Sequence, residues 1–335
     1  MKIALLLIAT SLFAQQEIAY ESSVSFLKPP ANIHFGEVAG VATDSKGNIY
    51  VYTRTGESAT AGASRVFTHG GSRLFEFSPA GAYLREIGVG VYGFLFAQAV
   101  RIDAQDHIWA VDRGSDMAIE FDPAGRFVKA LSRKPESVTI EPRAPAPGGG
   151  GRGRGPVMGD NFNRPTGIAF DADGNIFVSD GYNNARIAKM DKDGTFLKSW
   201  GSKGSGEGQF DMPNSIAVDA KGNVYVADLG NKRIQVFDND GNYKTNYANA
   251  GAPWAVCISP GAHQYLFSSN SNPPDSLDGG EIYKMELDGT VIGKFGRAGK
   301  GPKEFGTVNQ IDCRNPSTLY LAEAGNWRVQ KVSLK

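Results

Sequence analysis

The stretch Asn161-Phe-Asn-Arg-Pro-Thr-Gly-Ile-Ala-Phe-Asp-Ala-Asp-Gly-Asn-Ile-Phe-Val-Ser-Asp-Gly-Tyr-Asn-Asn-Ala-Arg-Ile187 decides how the chain is read. It divides into a Phe-x-x-Pro lead-in, a strand ending at Asp171, an Asp-Gly-Asn turn, a second strand ending at Asp180, a Gly-Tyr loop, and a third strand opened by Arg186. Apolar residues alternate with polar ones along the strands, the period-two signature of a half-buried sheet. Asp-Gly supplies the positive φ that a tight hairpin needs. Most of the chain repeats this unit. First strands start at Gly40, Ala99, Gly167, Ser215, Ala255 and Gln310, which are 59, 68, 48, 40 and 55 residues apart.

The register of these six units checks itself. Phe35, Phe94, Phe162, Phe210 and Phe305 each stand five residues before their strand, and the fifth unit has Ala250 there. The turns Ser45-Lys-Gly-Asn48, Ala172-Asp-Gly-Asn175 and Ala220-Lys-Gly-Asn223 recur, as do the third-strand openings Gly230-Asn-Lys-Arg233 and Gly325-Asn-Trp-Arg328. The shortest spacing is close to one propeller blade, and the longer ones contain insertions. Isolated four-stranded sheets cannot bury their faces; radial stacking can. The pattern therefore predicts an all-β, six-bladed β-propeller over residues 20–335. The last unit stops after its third strand at Lys331, so Glu21-Ser-Ser-Val-Ser-Phe-Leu-Lys28 is expected to close the ring as the fourth strand of the sixth blade. Arg186, Arg233 and Arg328 recur in register and read as braces to strand carbonyls or to Asp180, Asp228 and Glu323.

The chain of 335 residues is 41% apolar, enough for one large core, and carries 35 basic and 35 acidic residues. A zero net charge offers no field for nucleic acid or an anionic membrane. Residues 1–14, with Lys2 and an apolar run ending at Ala14, read as a secretory signal too short to span a bilayer. The expectation is a monomer exported to the periplasm or the extracellular space, without a membrane span, that takes a small-molecule or peptide ligand. Cys257 and Cys313 are the only cysteines; a disulfide and two buried thiols both remain open. Residues 56–72 are a Ser/Gly/Ala-rich loop. Residues 132–160, inserted between blades two and three, are a low-complexity loop with too few apolar side chains to repay ordering.

The Asp-Gly-Asn turns and Gly-Asn-x-Arg openings resemble NHL-repeat six-bladed propellers. Gly36-Glu-Val-Ala-Gly-Val-Ala-Thr-Asp44, Val178-Ser-Asp-Gly-Tyr-Asn-Asn-Ala-Arg-Ile187 and Gly208-Gln-Phe-Asp-Met-Pro-Asn-Ser-Ile-Ala217 look like the peptidyl-α-hydroxyglycine α-amidating lyase (peptidylamidoglycolate lyase) family. That resemblance implies cleavage of a peptidyl-α-hydroxyglycine into a peptide amide and glyoxylate. It implies a tyrosine base at Tyr182, an arginine at Arg54 and a second arginine where Leu229 stands. It also implies zinc on three histidines at the positions of Gln98, Asn214 and Asn309, and a structural calcium helped by an acidic residue at the position of Gln310.

Here the three histidine positions carry amides, and neutral amide oxygens are poor zinc ligands, so zinc is not expected. His34, His69, His107 and His263 do not cluster in the repeat register. Equivalent positions in three blades should bring Gln98, Asn214 and Asn309 to the axis, with Thr166, Ala39 and Trp254 completing the ring and Glu37 as the nearest carboxylate. A polar axial pocket, a hard-cation site such as calcium, and a hydrogen-bonded lining all remain open. Two functions stand side by side. One is a lyase-like enzyme with Tyr182 and Arg54 at the channel mouth. The other is a non-catalytic ligand-binding or scaffold propeller. A lactonase-type propeller would need axial carboxylates.

Overall fold

Among residues 15–55, 71–132, 159–271 and 279–335, which the computed structural model describes, every named element is a strand. Residues 1–14, where a secretory signal is expected, and most of the loops 56–72 and 132–160 lie outside the described residues. Six four-stranded antiparallel sheets form the blades. Their inner strands are Glu37–Thr43, Ala97–Ile102, Pro165–Phe170, Pro213–Val218, Pro253–Ile258 and Val308–Asn315. Each inner strand packs on those of the blades beside it, and the sixth meets the first, closing the ring. The expected closure is present: Tyr20–Ser23 pairs antiparallel with Arg328–Leu334 as the outer strand of blade six. It is shorter than the expected span of residues 21–28. Lys28 instead bridges Ala82 of blade one, so the same segment ties the two end blades together.

The repeat motifs fold for local reasons. Asp44, Asp171 and Asp219 each accept backbone N–H bonds from the residues two and four positions on. The Nδ2 of Asn48, Asn175 and Asn223 closes the turn on the other carboxylate oxygen. Gly47, Gly174 and Gly222 between them sit at φ +80°, +83° and +82°, where a Cβ is strained. Blade two departs from this pattern, with Asp106 at φ +61° and His107 in the asparagine position.

At the other end of the second strands, fully buried Asp180, Asp228 and Glu323 receive Arg186, Arg233 and Arg328, each through Nε at 2.9 Å. The Nη2 of each arginine then reaches a lead-in carbonyl, Asn161, Gln209 or Glu304, at 2.9 Å. These are the braces expected from the sequence. Phe94, Phe162, Phe210 and Phe305 are buried between blades, and Ala250 fills the corresponding place in the fifth. Cys257 and Cys313 form a disulfide between the inner strands of blades five and six.

Candidate functional site

One register position near the end of the second strand recurs in every blade. It pairs Ala97 with Asp112, Pro165 with Asp180, Pro213 with Asp228, Pro253 with Asn270 and Val308 with Glu323. These side chains accept bonds that fold the lead-in or hold an amide. In blade one the same position is Thr53, opposite Val38, and Arg54 follows it, opposite Glu37. Blade one thus has a threonine where the other five carry an acid or an amide, with a cation one residue further on. Arg54 donates to Glu37 Oε2 at 2.7 Å, to the Ala97 carbonyl at 2.8 Å and to Gln98 Oε1 at 3.2 Å.

Tyr182 owes its position to loop length. Asp180 pairs with Arg186, whereas Asp228 pairs with Arg233, Glu323 with Arg328 and Asp112 with Met117. The blade-three loop is one residue longer than those of blades two, four and six, and the half-buried Tyr182 lies in it.

Sequence reasoning missed Arg113. Asp112 is fully buried and accepts from the Leu95, Phe96, Gly114 and Ser115 amides and from Tyr52 Oη. It thereby folds the Phe96 lead-in against the Arg113 loop; burial raises its pKa and these donors oppose the rise. The Arg113 guanidinium lies 4.3 Å from the Phe96 ring centroid and 5.0 Å from that of Tyr182, while Arg54 lies 3.9 Å from Phe96. One phenyl ring therefore carries two guanidinium groups. Burial holds Arg113 below the usual arginine range; Tyr182 opposes that shift, and Arg54 and Arg164 add to it. The resemblance placed a second arginine at Leu229, which is buried at 8% exposure. Leu229 follows Asp228 as Arg113 follows Asp112, so the guanidinium comes from the same loop position two blades away. That position in the sequence was the available signal.

Glu37, Arg54, Gln98, Arg113, Tyr182 and Asn309 line one cavity of about 240 Å³, with Trp254 and Trp327 as its main apolar surfaces. Trp327 is 64% exposed at φ +56°, a conformation bulky residues rarely adopt. Lys232 and Ala185 hold the corresponding left-handed position in blades four and three. Across the channel floor, Arg101 of blade two donates to the Val256 and Ile311 carbonyls of blades five and six.

The hub ring itself divides. Asn309 Nδ2 donates to the Ala39 and Gln98 carbonyls at 2.6 and 2.8 Å, Asn214 Nδ2 to the Trp254 carbonyl at 2.7 Å, and Thr166 Oγ1 to the Pro213 carbonyl at 2.6 Å. Each latches its blade to a neighbour. Asn214 and Thr166 do not line the cavity, so of the ring side chains only Gln98, Asn309 and Trp254 join Tyr182, Arg54 and Glu37 there. The Asn214 carboxamide oxygen is buried without a protein partner.

The residues present do not fit zinc. The amide N–H groups of Asn214 and Asn309 already face carbonyls, Gln98 Oε1 is held by Arg54, and the cavity lining includes no histidine or cysteine. They do not fit calcium at the hub either. Gln310 Nε2 donates to the Val41 and Val100 carbonyls, and its Oε1 accepts from the Val100 amide at 3.0 Å. A neutral amide there ties three inner strands together and supplies no anionic oxygen. The nearby carboxylate, Glu37, is paired with Arg54.

The NHL-repeat profile matches residues 162–190 and 210–237. The rat peptidylglycine alpha-amidating monooxygenase is 29% identical over 324 residues, covering 89% of this chain and 30% of that protein. Drosophila melanogaster peptidyl-alpha-hydroxyglycine alpha-amidating lyase 1 is 24% identical over 339 residues, covering 90% of this chain and 58% of its own length. The chain thus spans about 30% of the rat relative. Among solved structures, a streptogramin B lyase superposes with a TM-score of 0.59 at 15% identity, covering 94% of this chain and 98% of that one. A gluconolactonase from Xanthomonas campestris gives 0.58 at 14% identity, covering 90% and 87%. These two show the propeller fold alone.

Proposed function

We propose that this six-bladed propeller, which carries NHL repeats and is homologous to the peptidyl-α-hydroxyglycine α-amidating enzymes, is a lyase-like protein for carboxylate-bearing α-hydroxylated amides. It would work without a metal at the hub. The observation that carries this reading is the placement of Arg113 against Tyr182 in a cavity already holding Arg54. Two guanidinium groups against one carboxylate, Glu37, leave a net positive mouth suited to a ligand carboxylate. The longer loop of blade three brings a phenol to the same cavity.

In this scheme Tyr182 takes the proton of the ligand hydroxyl. The carbon–oxygen double bond of glyoxylate forms as the carbon–nitrogen bond breaks. The proton passes to the departing amide nitrogen, so substrate and the two products balance without a co-reactant. Arg113 places positive charge beside the oxygen that transiently becomes negative. Trp254 and Trp327 offer apolar surface to the residue preceding the hydroxyglycine.

A second reading, a non-catalytic carboxylate-binding propeller, is favoured by the hub amides. Their N–H groups are engaged in latching blades, which leaves no strong electrophile for the hydroxyl oxygen.

Incubating the full chain with a peptidyl-α-hydroxyglycine and measuring glyoxylate tests both. Release by the wild type that is lost in Tyr182→Phe, with binding retained, is the expected result. Binding without release selects the second reading, and no binding removes both. Export is part of the proposal. The Cys257–Cys313 bond supports it, because disulfides persist in oxidising compartments. N-terminal sequencing of the protein recovered outside the cytoplasm should begin near Gln15.

A further inference from the structure

We infer that blade two carries a site for a divalent transition-metal ion, zinc being the best match, on the face of the propeller opposite Tyr182. Its ligands are Asp103, His107 and Glu120. The inner strand of blade two runs from the channel mouth at Ala97 to Ile102, and Asp103 follows it. About 20 Å of strand therefore separates the two faces.

In three other blades the corresponding turn is a finished hydrogen-bonded unit. Asn48, Asn175 and Asn223 each bond the carboxylate of Asp44, Asp171 or Asp219. In blade two the asparagine is replaced by His107. Its ring leaves the turn and meets Glu120 through Nδ1, and Trp109 Nε1 takes over the bond to Asp103 Oδ2 at 3.0 Å. The imidazole is thus directed away from the local turn, toward a second strand.

Glu120 supplies an independent indication. It is 4% exposed, and its Oε2 is buried without a hydrogen bond. The nearest cation is Lys129, 3.4 Å away, whose ammonium bonds the Lys192 carbonyl at 3.0 Å instead. A buried carboxylate oxygen left in this state is costly unless something binds it. Asp103, His107 and Glu120 each offer a donor atom, and these atoms lie within 4.8 Å of one another. They open on a cavity of about 400 Å³ between blades two and three.

Tetrahedral donors about 2.1 Å from one ion stand about 3.4 Å apart, so the widest pair, within 4.8 Å, closes by up to about 1.4 Å when loaded. One imidazole nitrogen and two carboxylates suit zinc and its first-row neighbours better than calcium, which takes oxygen ligands. Lys129 competes for Glu120 and must swing out as the ion enters.

The test is titration of the metal-stripped, tag-free full chain with Zn²⁺ by calorimetry. One equivalent should bind to the wild type. His107→Asn restores the residue that three other blades carry, so its fold and melting temperature without metal should match wild type. Its zinc affinity should fall by more than the about 10–100-fold typical of losing an outer-shell partner. Glu120→Gln should weaken binding similarly, and Lys129→Met should tighten it. No zinc uptake by the wild type, or uptake unchanged in both His107→Asn and Glu120→Gln, overturns the site.

Discussion

Replacing Arg113 by methionine isolates the charge on which the proposed function depends. The guanidinium touches the Phe96 and Tyr182 rings, and its neighbours Arg54 and Arg164 are also cations. Truncation forfeits cation–π contact of about 0.5–1 kcal/mol per ring at partly exposed sites, and relief of like-charge repulsion offsets part of that. Folding stability should therefore change by no more than about 1 kcal/mol. Binding should change more. A charge-assisted hydrogen bond is worth about 1.5–3 kcal/mol, or about 10–150-fold in affinity for a ligand carboxylate. Calorimetric titration of wild type and Arg113→Met with a peptidyl-α-hydroxyglycine, and with the same compound capped as a C-terminal amide, separates charge from shape. The acid should weaken by that factor while the capped form changes by less than about threefold. Equal weakening of both ligands, or an unchanged acid, would show that Arg113 does not read the carboxylate.

Three further outcomes follow from the packing. Arg233→Met strands Asp228, which is wholly buried and otherwise held by the Asp211 amide, Asn231 and Gln235. Urea unfolding should lose about 3–5 kcal/mol, and a loss under 1 would deny the brace its role. The disulfide links residues 56 apart, and loop entropy puts its contribution at about 4 kcal/mol; the Cys257→Ser/Cys313→Ser variant should unfold at correspondingly lower denaturant. Burial, then Glu17, pushes the Tyr20 hydroxyl from its ordinary 10.0 up to about 12. Its folded pKa being raised, its share of stability is whole below pH 10 and drains away as pH climbs toward 12. Urea midpoints measured across that window should fall less steeply for Tyr20→Phe than for wild type.

Fold and site were not equally visible in the residues. Asp-Gly-Asn turns and acid–arginine braces are encoded within a few positions, so each motif carries its own geometry and the blade count follows from repetition. The hub is different. Gln98, Asn214 and Asn309 occupy equivalent positions, yet Asn214 turns to the Trp254 carbonyl while Asn309 bridges two blades. That choice depends on which carbonyl another blade presents, a separation of 211 residues for Asn309 and Gln98. Arg54 was placed by resemblance, but its meaning comes from the register, which sets it directly after Thr53 as Arg113 stands directly after Asp112. Arg113 escaped notice because its loop, Asp-Arg-Gly-Ser, lacks the Gly-Asn signature that marked its counterparts.

The pairing of Tyr20–Ser23 with Arg328–Leu334 has a consequence for biogenesis. Until residue 334 has been synthesised, the growing chain has no partner for its first strand, and the cylinder keeps an open seam beside blade one. A premature stop in the final strand should therefore leave a zipper with nothing to engage, a product that the cell's proteases would clear rather than a shortened but working protein.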